Sequence, residues 1–187
     1  MKASALALTF LLVAPGCSAE ADAPAPVRVW GAIPARPDGP VLDQADVIPA
    51  AEEAMLDRRL RDYWDRNRTA VVVATVDSLG GEPIERFSLR LAEEWGIGDP
   101  ENKRGLLLLV APNERRVRIE VSCGLEGVIS DVIAGRIIRD QIIPKFKEGA
   151  LNAGTLAGVD ALMEQLDAGA DAGSVQDYCS TDVRRAA

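Results

Sequence analysis

Two apolar runs decide the fold of this chain, Ala70-Val71-Val72-Val73-Ala74-Thr75-Val76 and Gly105-Leu106-Leu107-Leu108-Leu109-Val110. Neither run alternates apolar with polar residues, which predicts strands that are buried on both faces. Between the runs, Ile84, Phe87 and Leu91 recur at helical spacing. The three segments therefore predict a βαβ unit, in which two parallel strands are joined by a right-handed crossover.

The segment after the second run changes to period two. Val117, Ile119 and Val121 alternate there with charged residues, which predicts an antiparallel strand with one exposed face near a sheet edge. Three further helices are predicted: one opened by Pro49, a long one over residues 131–146 that Pro144 bends or ends, and a last one with Thr155, Val159, Leu162 and Leu166 on one side. The predicted fold class is α/β, a single domain with a mixed, mostly parallel central sheet sandwiched between helices.

Composition excludes several function classes. The 187 residues contain 21 Lys and Arg against 29 Asp and Glu, a net charge of −8. A surface this acidic repels phosphate backbones, so nucleic acid is not an expected partner. The chain has no histidine, which excludes Ser-His-Asp and Cys-His catalysis and any zinc site with histidine ligands.

The N-terminus has the pattern of an export signal. Met1-Lys2 is followed by an apolar run and then by Ala14-Pro15-Gly16-Cys17, which resembles a bacterial lipobox with Ala14 in place of the usual leucine. We expect Cys17 to be lipidated and to anchor the protein to a membrane from the periplasmic or cell-surface side. Cleavage after Ala19 or Ala21, without a lipid, is the alternative.

Four segments are expected along the chain. Residues 1–17 form the signal peptide, and the Ala/Pro-rich residues 18–40 form a tether. Residues 41–166 form the α/β domain, and residues 167–187, rich in Ala, Gly and Asp, form a flexible tail. Cys123 and Cys179 remain as an even pair in an oxidising compartment, where they form a disulfide or stay as two separate thiols.

Several short strings, in this order along the chain, resemble the TPM domain family. They are Val41-Leu42-Asp43-Gln44-Ala45, Glu94-Trp95-Gly96-Ile97-Gly98, Gly105 to Pro112, Arg118 to Gly127, Asp131, and Gly135-Arg136-Ile137-Ile138-Arg139. The resemblance implies an α/β sandwich and an exported bacterial protein. For other members of the family it implies accessory roles in membrane-complex repair or assembly, modest acid phosphatase activity, or binding of calcium or another divalent cation.

The chain departs from the family pattern at two places. Cys123 stands where the family often has Tyr, and Lys103-Arg104 stands where it often has Asp-Asn. The second change puts two cations where an acid is usual, so any divalent cation is expected to bind weakly. Lys103 and Arg104 are instead candidates for binding phosphate.

Strand directions predict which acids lie together. The far end of the antiparallel strand should place Glu126 and Asp131 beside the loop that carries Asp99 and Glu101. These four are the candidate ligands for Ca²⁺ or another divalent cation. Asp43 is a fifth candidate, at the opposite edge of the sheet near Asp77. In the alternative interpretation, Glu126 is a turn residue and Asp131 is a helix N-cap.

Two functions are compatible with the sequence. The first is a binding or accessory module of the cell envelope, held at the membrane by its lipid alone, whose partner is an envelope or membrane protein. The second is a metal-dependent acid phosphatase of low activity, in which a cation held by Glu126 and Asp131 activates water.

Overall fold

A four-stranded sheet in the order β1-β2-β3-β4 is the centre of the computed structural model. The structure describes residues 31–98, 101, 103–171 and 179, and for residues 170 and 171 it describes the backbone only. The strands are β1 Val41–Asp43, β2 Ala70–Thr75, β3 Gly105–Ala111 and β4 Arg116–Val121. The β1–β2 and β2–β3 pairs are parallel and the β3–β4 pair is antiparallel. The predicted mixed, mostly parallel sheet is confirmed.

Helices cover both faces of this sheet. They are α1 Ala50–Asn67, α2 Ile84–Trp95, α3 Asp131–Ile137, α4 Ile143–Lys147 and α5 Leu151–Asp171, with a 3₁₀ turn at Cys123–Leu125 and a π-helical turn at Ile138–Ile142. One core cluster joins Val71 and Val73 of β2 to residues of α1, α3 and α5. The other joins Ala74 of β2 to residues of β3 and α2.

The absence of polar residues from the central strands has the predicted consequence. All seven residues of β3 are buried, because side chains of successive residues enter the two opposite cores. The face of α5 that was expected to be apolar, with Val159, Leu162 and Leu166, is likewise buried. No helix in the described part of the chain is long and apolar enough to cross a membrane.

The polar face of β4 is less exposed than its alternating pattern predicts. The Ser88 hydroxyl of α2 donates a hydrogen bond to the Glu120 carboxylate at 2.7 Å, and Arg118 Nε lies 3.1 Å from the same oxygen. Helix α2 therefore packs across this face of the edge strand. The alternation identified the strand but not the helix that covers it.

Pro144 does not end the helix predicted over residues 131–146. The chain stays helical from Asp131 to Lys147, with the π-helical turn immediately before the proline. Proline has no N–H and its ring crowds the carbonyl four residues earlier, so a wider turn at this point avoids both problems. The irregular turn, Ile138–Ile142, thus precedes the proline at which the helix was expected to bend or end.

Both ends of the domain extend beyond the predicted boundaries. Residues 31–40, assigned to the tether by composition, lie against the domain: Arg90 Nη2 donates to the Gly31 carbonyl at 3.0 Å, and the Trp95 indole donates to the Pro34 carbonyl at 2.9 Å. We call residues 31–36 the strap. Residues 167–171, assigned to the tail, are the last turn of α5. The predicted signal peptide, residues 18–30 and most of the predicted tail lie outside the described residues.

Candidate functional site

The edge of the sheet that was predicted to gather acids is assembled as the strand directions require. The Ser122 N–H donates to the Gly105 carbonyl at 2.9 Å, and the Gly124 N–H donates to the Lys103 carbonyl at 3.1 Å. The turn after β4 therefore lies directly beside the segment that enters β3. The strand directions predicted that these two segments are neighbours, and the structure confirms this prediction.

Glu126 and Asp131 are both exposed at this edge. Glu126 follows the 3₁₀ turn, where its N–H donates to the Cys123 carbonyl at 3.3 Å. Ser130 occupies the N-cap of α3, and Asp131 is the first residue of the helix. The alternative interpretation of Asp131 as the N-cap was therefore wrong by one residue. Glu101 is exposed, and Asp99 lies outside the described residues. Within the described residues no three acidic or cysteine side chains form a group that could hold a metal ion.

Asp43 has a different role at the opposite edge. One of its carboxylate oxygens accepts hydrogen bonds from the Thr75 hydroxyl and from the Val47 N–H, and the other accepts the Ile48 N–H at 2.7 Å. Thr75 is fully buried. Asp43 therefore fixes the loop between β1 and α1 to the end of β2, and the structure separates it from Glu126 and Asp131.

Lys103 and Arg104 do not act as a pair. Lys103 is exposed and has a left-handed backbone, with φ of 49°. Arg104 Nε donates to the buried Thr69 hydroxyl at 2.9 Å, at the start of β2. The Arg104 guanidinium is thus hydrogen-bonded within the domain, and Lys103 is the exposed member of the pair.

The structure joins Cys123 to Cys179 in a disulfide, with a Cα–Cα distance of 5.3 Å. Cys123 lies in the turn beside Lys103, so the bridge places Cys179 at this same edge of the sheet. Cys17, the predicted lipidation site, lies outside the described residues.

A polar hollow of about 510 Å³ lies at the carboxyl ends of the parallel strands. Asp46 and Asp77 both line it, which confirms that the acids after β1 and β2 meet at one edge. Asn152 of α5 also lines the hollow. Its amide nitrogen donates to Glu52 at 2.9 Å, while its buried carbonyl oxygen has no hydrogen-bond partner among the described residues.

A second concavity, a cleft of about 500 Å³, was not predicted from the sequence. Its walls come from four segments that are distant in the chain: residues 36–40, the last turns of α1, the start of β2, and the end of α2 with residues 96–98. We call this feature the strap cleft. Leu60, Trp64 and Trp95 are among its apolar lining residues.

Local backbone conformation shapes two walls of the strap cleft. Gly96 has φ of 59° and ends α2 as a left-handed cap. Residues 37–40 approach α1 closely: a Cβ on Gly39 would lie 2.7 Å from Arg61 Nη2. The chain before β1 therefore turns towards α1, and the cleft lies between them.

Charged groups surround the rim of the strap cleft. Arg61 Nε lies 2.6 Å from the Asp57 carboxylate, and this hydrogen bond raises the pKa of the arginine. Arg61 also donates to the Asp38 carbonyl at 3.1 Å. Asp65 is exposed on the next turn of α1. The Arg68 guanidinium carbon lies 5.7 Å from the centre of the Trp64 ring, a cation–π contact.

A buried carboxylate holds the strap that leads to this cleft. The Glu82 side chain has no exposed surface and lies 2.8 Å from Arg90 Nη2, while Arg86 Nε lies at 3.5 Å. Arg90 bonds the Gly31 carbonyl through the same nitrogen. A buried charge of this kind is tolerated because it is paired and hydrogen-bonded, and the pair fixes where the strap meets the domain.

The architecture is thus a three-layer α/β/α domain with a cleft at one end of its sheet. The family model of the TPM domain matches residues 41–165, and the chain belongs to the TPM domain family.

Solved structures give the same result. The N-terminal domain of a protein from P. gingivalis is 37% identical, with a TM-score of 0.64 over 74% of this chain and 85% of that chain. The BA42 protein of Bizionia argentinensis is 20% identical, with a TM-score of 0.55 over 64% of this chain and 81% of its own. The N-terminal domain of the cg2496 protein of Corynebacterium glutamicum is 16% identical, with a TM-score of 0.52 over 68% and 80%. The last two show the fold alone. No curated protein matches the chain.

Proposed function

We propose that this protein is an exported, lipid-anchored binding module of the cell envelope, and that the strap cleft is its partner-binding surface. The observation that carries the proposal is the cleft itself, about 500 Å³ in volume and walled by Leu60, Trp64 and Trp95. Pre-formed concavities of this size with mostly apolar walls and a few polar groups at the rim are typical binding sites.

Rigid elements hold the walls of the strap cleft. Trp95 is 3% exposed and its indole N–H is bonded to the Pro34 carbonyl, so its ring is fixed in the wall. Trp64 is partly exposed and offers a free part of its ring. Tryptophan is enriched among the residues that dominate binding energy, because it buries a large apolar area at a small entropic cost.

The N-terminal sequence supports an envelope location. A lipid on Cys17 would place the protein at a membrane surface, and residues 18–30 would connect it to the strap at Gly31. The proposed partner is therefore an envelope or membrane protein. Mass spectrometry of the membrane fraction should find an acylated N-terminal Cys17, and a mature protein that begins after Ala19 or Ala21 would contradict the anchor.

Site-specific photocrosslinking in the native membrane tests the cleft as the partner-binding surface. A benzophenone amino acid at Asp65, on the cleft rim, should trap one protein, and the same probe at Asp62 should not. Both positions are exposed on α1, but Asp62 lies outside the cleft lining. Trp64→Ala should remove the Asp65 product. Equal labelling from both positions, or a product that Trp64→Ala leaves unchanged, would overturn the proposal.

A metal-dependent acid phosphatase of low activity is the second candidate function. The observation that favours it is the backbone contact between the turn after β4 and Lys103, which puts the exposed residues Lys103 and Glu126 at the same edge of the sheet. A divalent cation held there, Ca²⁺ being one example, would supply the activated water. Hydrolysis of a phosphate monoester that needs added cation, and that Glu126→Gln abolishes, would support it. Hydrolysis that survives this substitution would refute the assignment.

A further inference from the structure

We propose that the strap cleft is also the docking site of the chain's own segment 180–187, which there competes with an external partner. The regulatory meaning of this contact rests on the proposed function, but the docking itself does not. Residues 180–187, Ser-Thr-Asp-Val-Arg-Arg-Ala-Ala, lie outside the described residues.

The disulfide determines where this segment begins. Cys179 is bonded to Cys123, and the neighbouring Ser122 hydroxyl donates to the Ile97 carbonyl at 3.3 Å. Ile97 and Gly98 both line the strap cleft. The eight residues after Cys179 therefore start next to the cleft wall, and at ~3.3 Å per residue they span about 26 Å when extended.

The chemistry of the segment matches the cleft better than that of other parts of the chain. Val183 is apolar and β-branched, suited to the apolar lining, and Arg184 and Arg185 follow it directly. Asp38 and Asp65 on the rim are opposite in charge to these arginines. Of the two arginines in the same lining, Arg36 and Arg61, the second is already paired with Asp57. The N-terminal segment is a poorer candidate, because it joins the domain at Gly31, beside Arg90 and away from the cleft lining.

Tethering makes the contact effective even if the segment binds weakly. A ligand on a short tether has an effective concentration of about millimolar, so a partner has to displace it. The disulfide shortens the tether, and a dithiol reductant that opens it should weaken the competition.

The test compares the purified chain with a variant that ends at Cys179 and so keeps the disulfide. The reporter is the Trp64 indole N–H resonance in ¹H–¹⁵N spectra, assigned by loss of that signal in Trp64→Phe. Truncation should shift the resonance, and added peptide 180–187 should return it saturably to the position seen in the full chain. A peptide with Glu in place of Arg184 and Arg185 should bind about two- to fivefold more weakly (about 0.4–1 kcal/mol), within the range expected for exposed ion pairs.

Matched variants of the chain separate the cleft from nonspecific charge. Asp65→Lys should weaken peptide binding by a similar factor, whereas Asp62→Lys should not. An unchanged Trp64 resonance on truncation, or a peptide that shifts resonances outside the cleft, would overturn the proposal. A Trp64 shift that depends on protein concentration would assign the segment to a second copy and also overturn it. All of these measurements use the purified protein alone, so their failure is distinct from a failure of the photocrosslinking test.

Discussion

Gly98 and Gly105 approach each other so closely that a Cβ on Gly105 would lie 2.6 Å from the Gly98 Cα and 2.8 Å from the Ile97 carbonyl oxygen. This contact places the loop after α2 against the first residue of β3. It therefore fixes one wall of the strap cleft, because Ile97 and Gly98 belong to its lining.

We predict that Gly105→Ala is strongly destabilising. The atoms that the new methyl group would meet belong to the backbone, so the loop and the strand have to move apart, at a cost of about 1–3 kcal/mol or more in the free energy of unfolding. Gly135→Ala is the matched control, because its Cβ would meet nothing within 4 Å in α3. The control should be stabilised by about 0.4–1 kcal/mol. Urea denaturation measures both, and equal stabilities would show that the contact is looser than described.

The central part of the fold was predictable because its signals are local or nearly so. The mostly apolar composition of β2 and of β3 indicates by itself that these strands are buried. Strand polarity then placed Glu126 and Lys103 at one edge and Asp77 at the other. The ordered short strings supplied the family, which the matching family model confirms.

Features that depend on distant contacts were not predictable in this way. Residues 31–40 have the composition of a linker, whereas the bonds from Arg90 and Trp95 and the packing of Ile33 against the second core show that the strap is part of the domain. The strap cleft combines four separated segments, so no local pattern marks it.

We predict that Asp43 supports folding and does not bind metal. Asp43→Ala should lower the free energy of unfolding by about 2–4 kcal/mol, because it leaves the Thr75 hydroxyl and two backbone N–H groups without their charged acceptor. Asp46→Asn should change it by less than about 0.5 kcal/mol, since Asp46 is exposed and Asn tolerates its left-handed backbone. Thermal unfolding with and without Ca²⁺ checks the assignment. A loss that appears only with Ca²⁺ present would instead identify Asp43 as a ligand.

A divalent cation is expected to bind weakly, with a dissociation constant of about 10⁻⁴–10⁻³ M, at the edge formed by Lys103 and the turn after β4. Lys103→Asp should tighten binding, because it replaces a repelling cation with a ligand, and Glu126→Gln should abolish it. Arg104 is left unchanged in this design because it bonds the buried Thr69. Calorimetric titration with Ca²⁺ measures each variant. If Asp77→Asn removes binding and Glu126→Gln does not, the cation lies in the polar hollow at the opposite edge.

The hydrogen bond from Tyr63 to Asp167 predicts a change of stability in alkaline solution. Tyr63 is 3% exposed and its hydroxyl donates to Asp167 at 2.8 Å. Burial, followed by the hydrogen bond and by the negative charge of Asp167, raises the pKa of the Tyr63 hydroxyl above its ordinary value. A raised folded-state pKa stabilises the protein fully below the unfolded value of about 10, and this contribution is lost as the pH rises further. Near pH 7, Tyr63→Phe should lower the free energy of unfolding by about 0.5–1.5 kcal/mol.

The difference between the wild type and Tyr63→Phe should therefore shrink once the pH passes about 10, because only the wild type has a phenol that ionises more easily when unfolded. Urea denaturation of both proteins between neutral and alkaline pH measures this directly, and the other titrating groups cancel in the difference. Asp167→Asn should show a smaller pH dependence than the wild type, since it removes the negative charge but leaves Tyr63 buried. A difference between wild type and Tyr63→Phe that stays constant across the alkaline range would mean that the Tyr63 hydroxyl ionises normally in the folded protein.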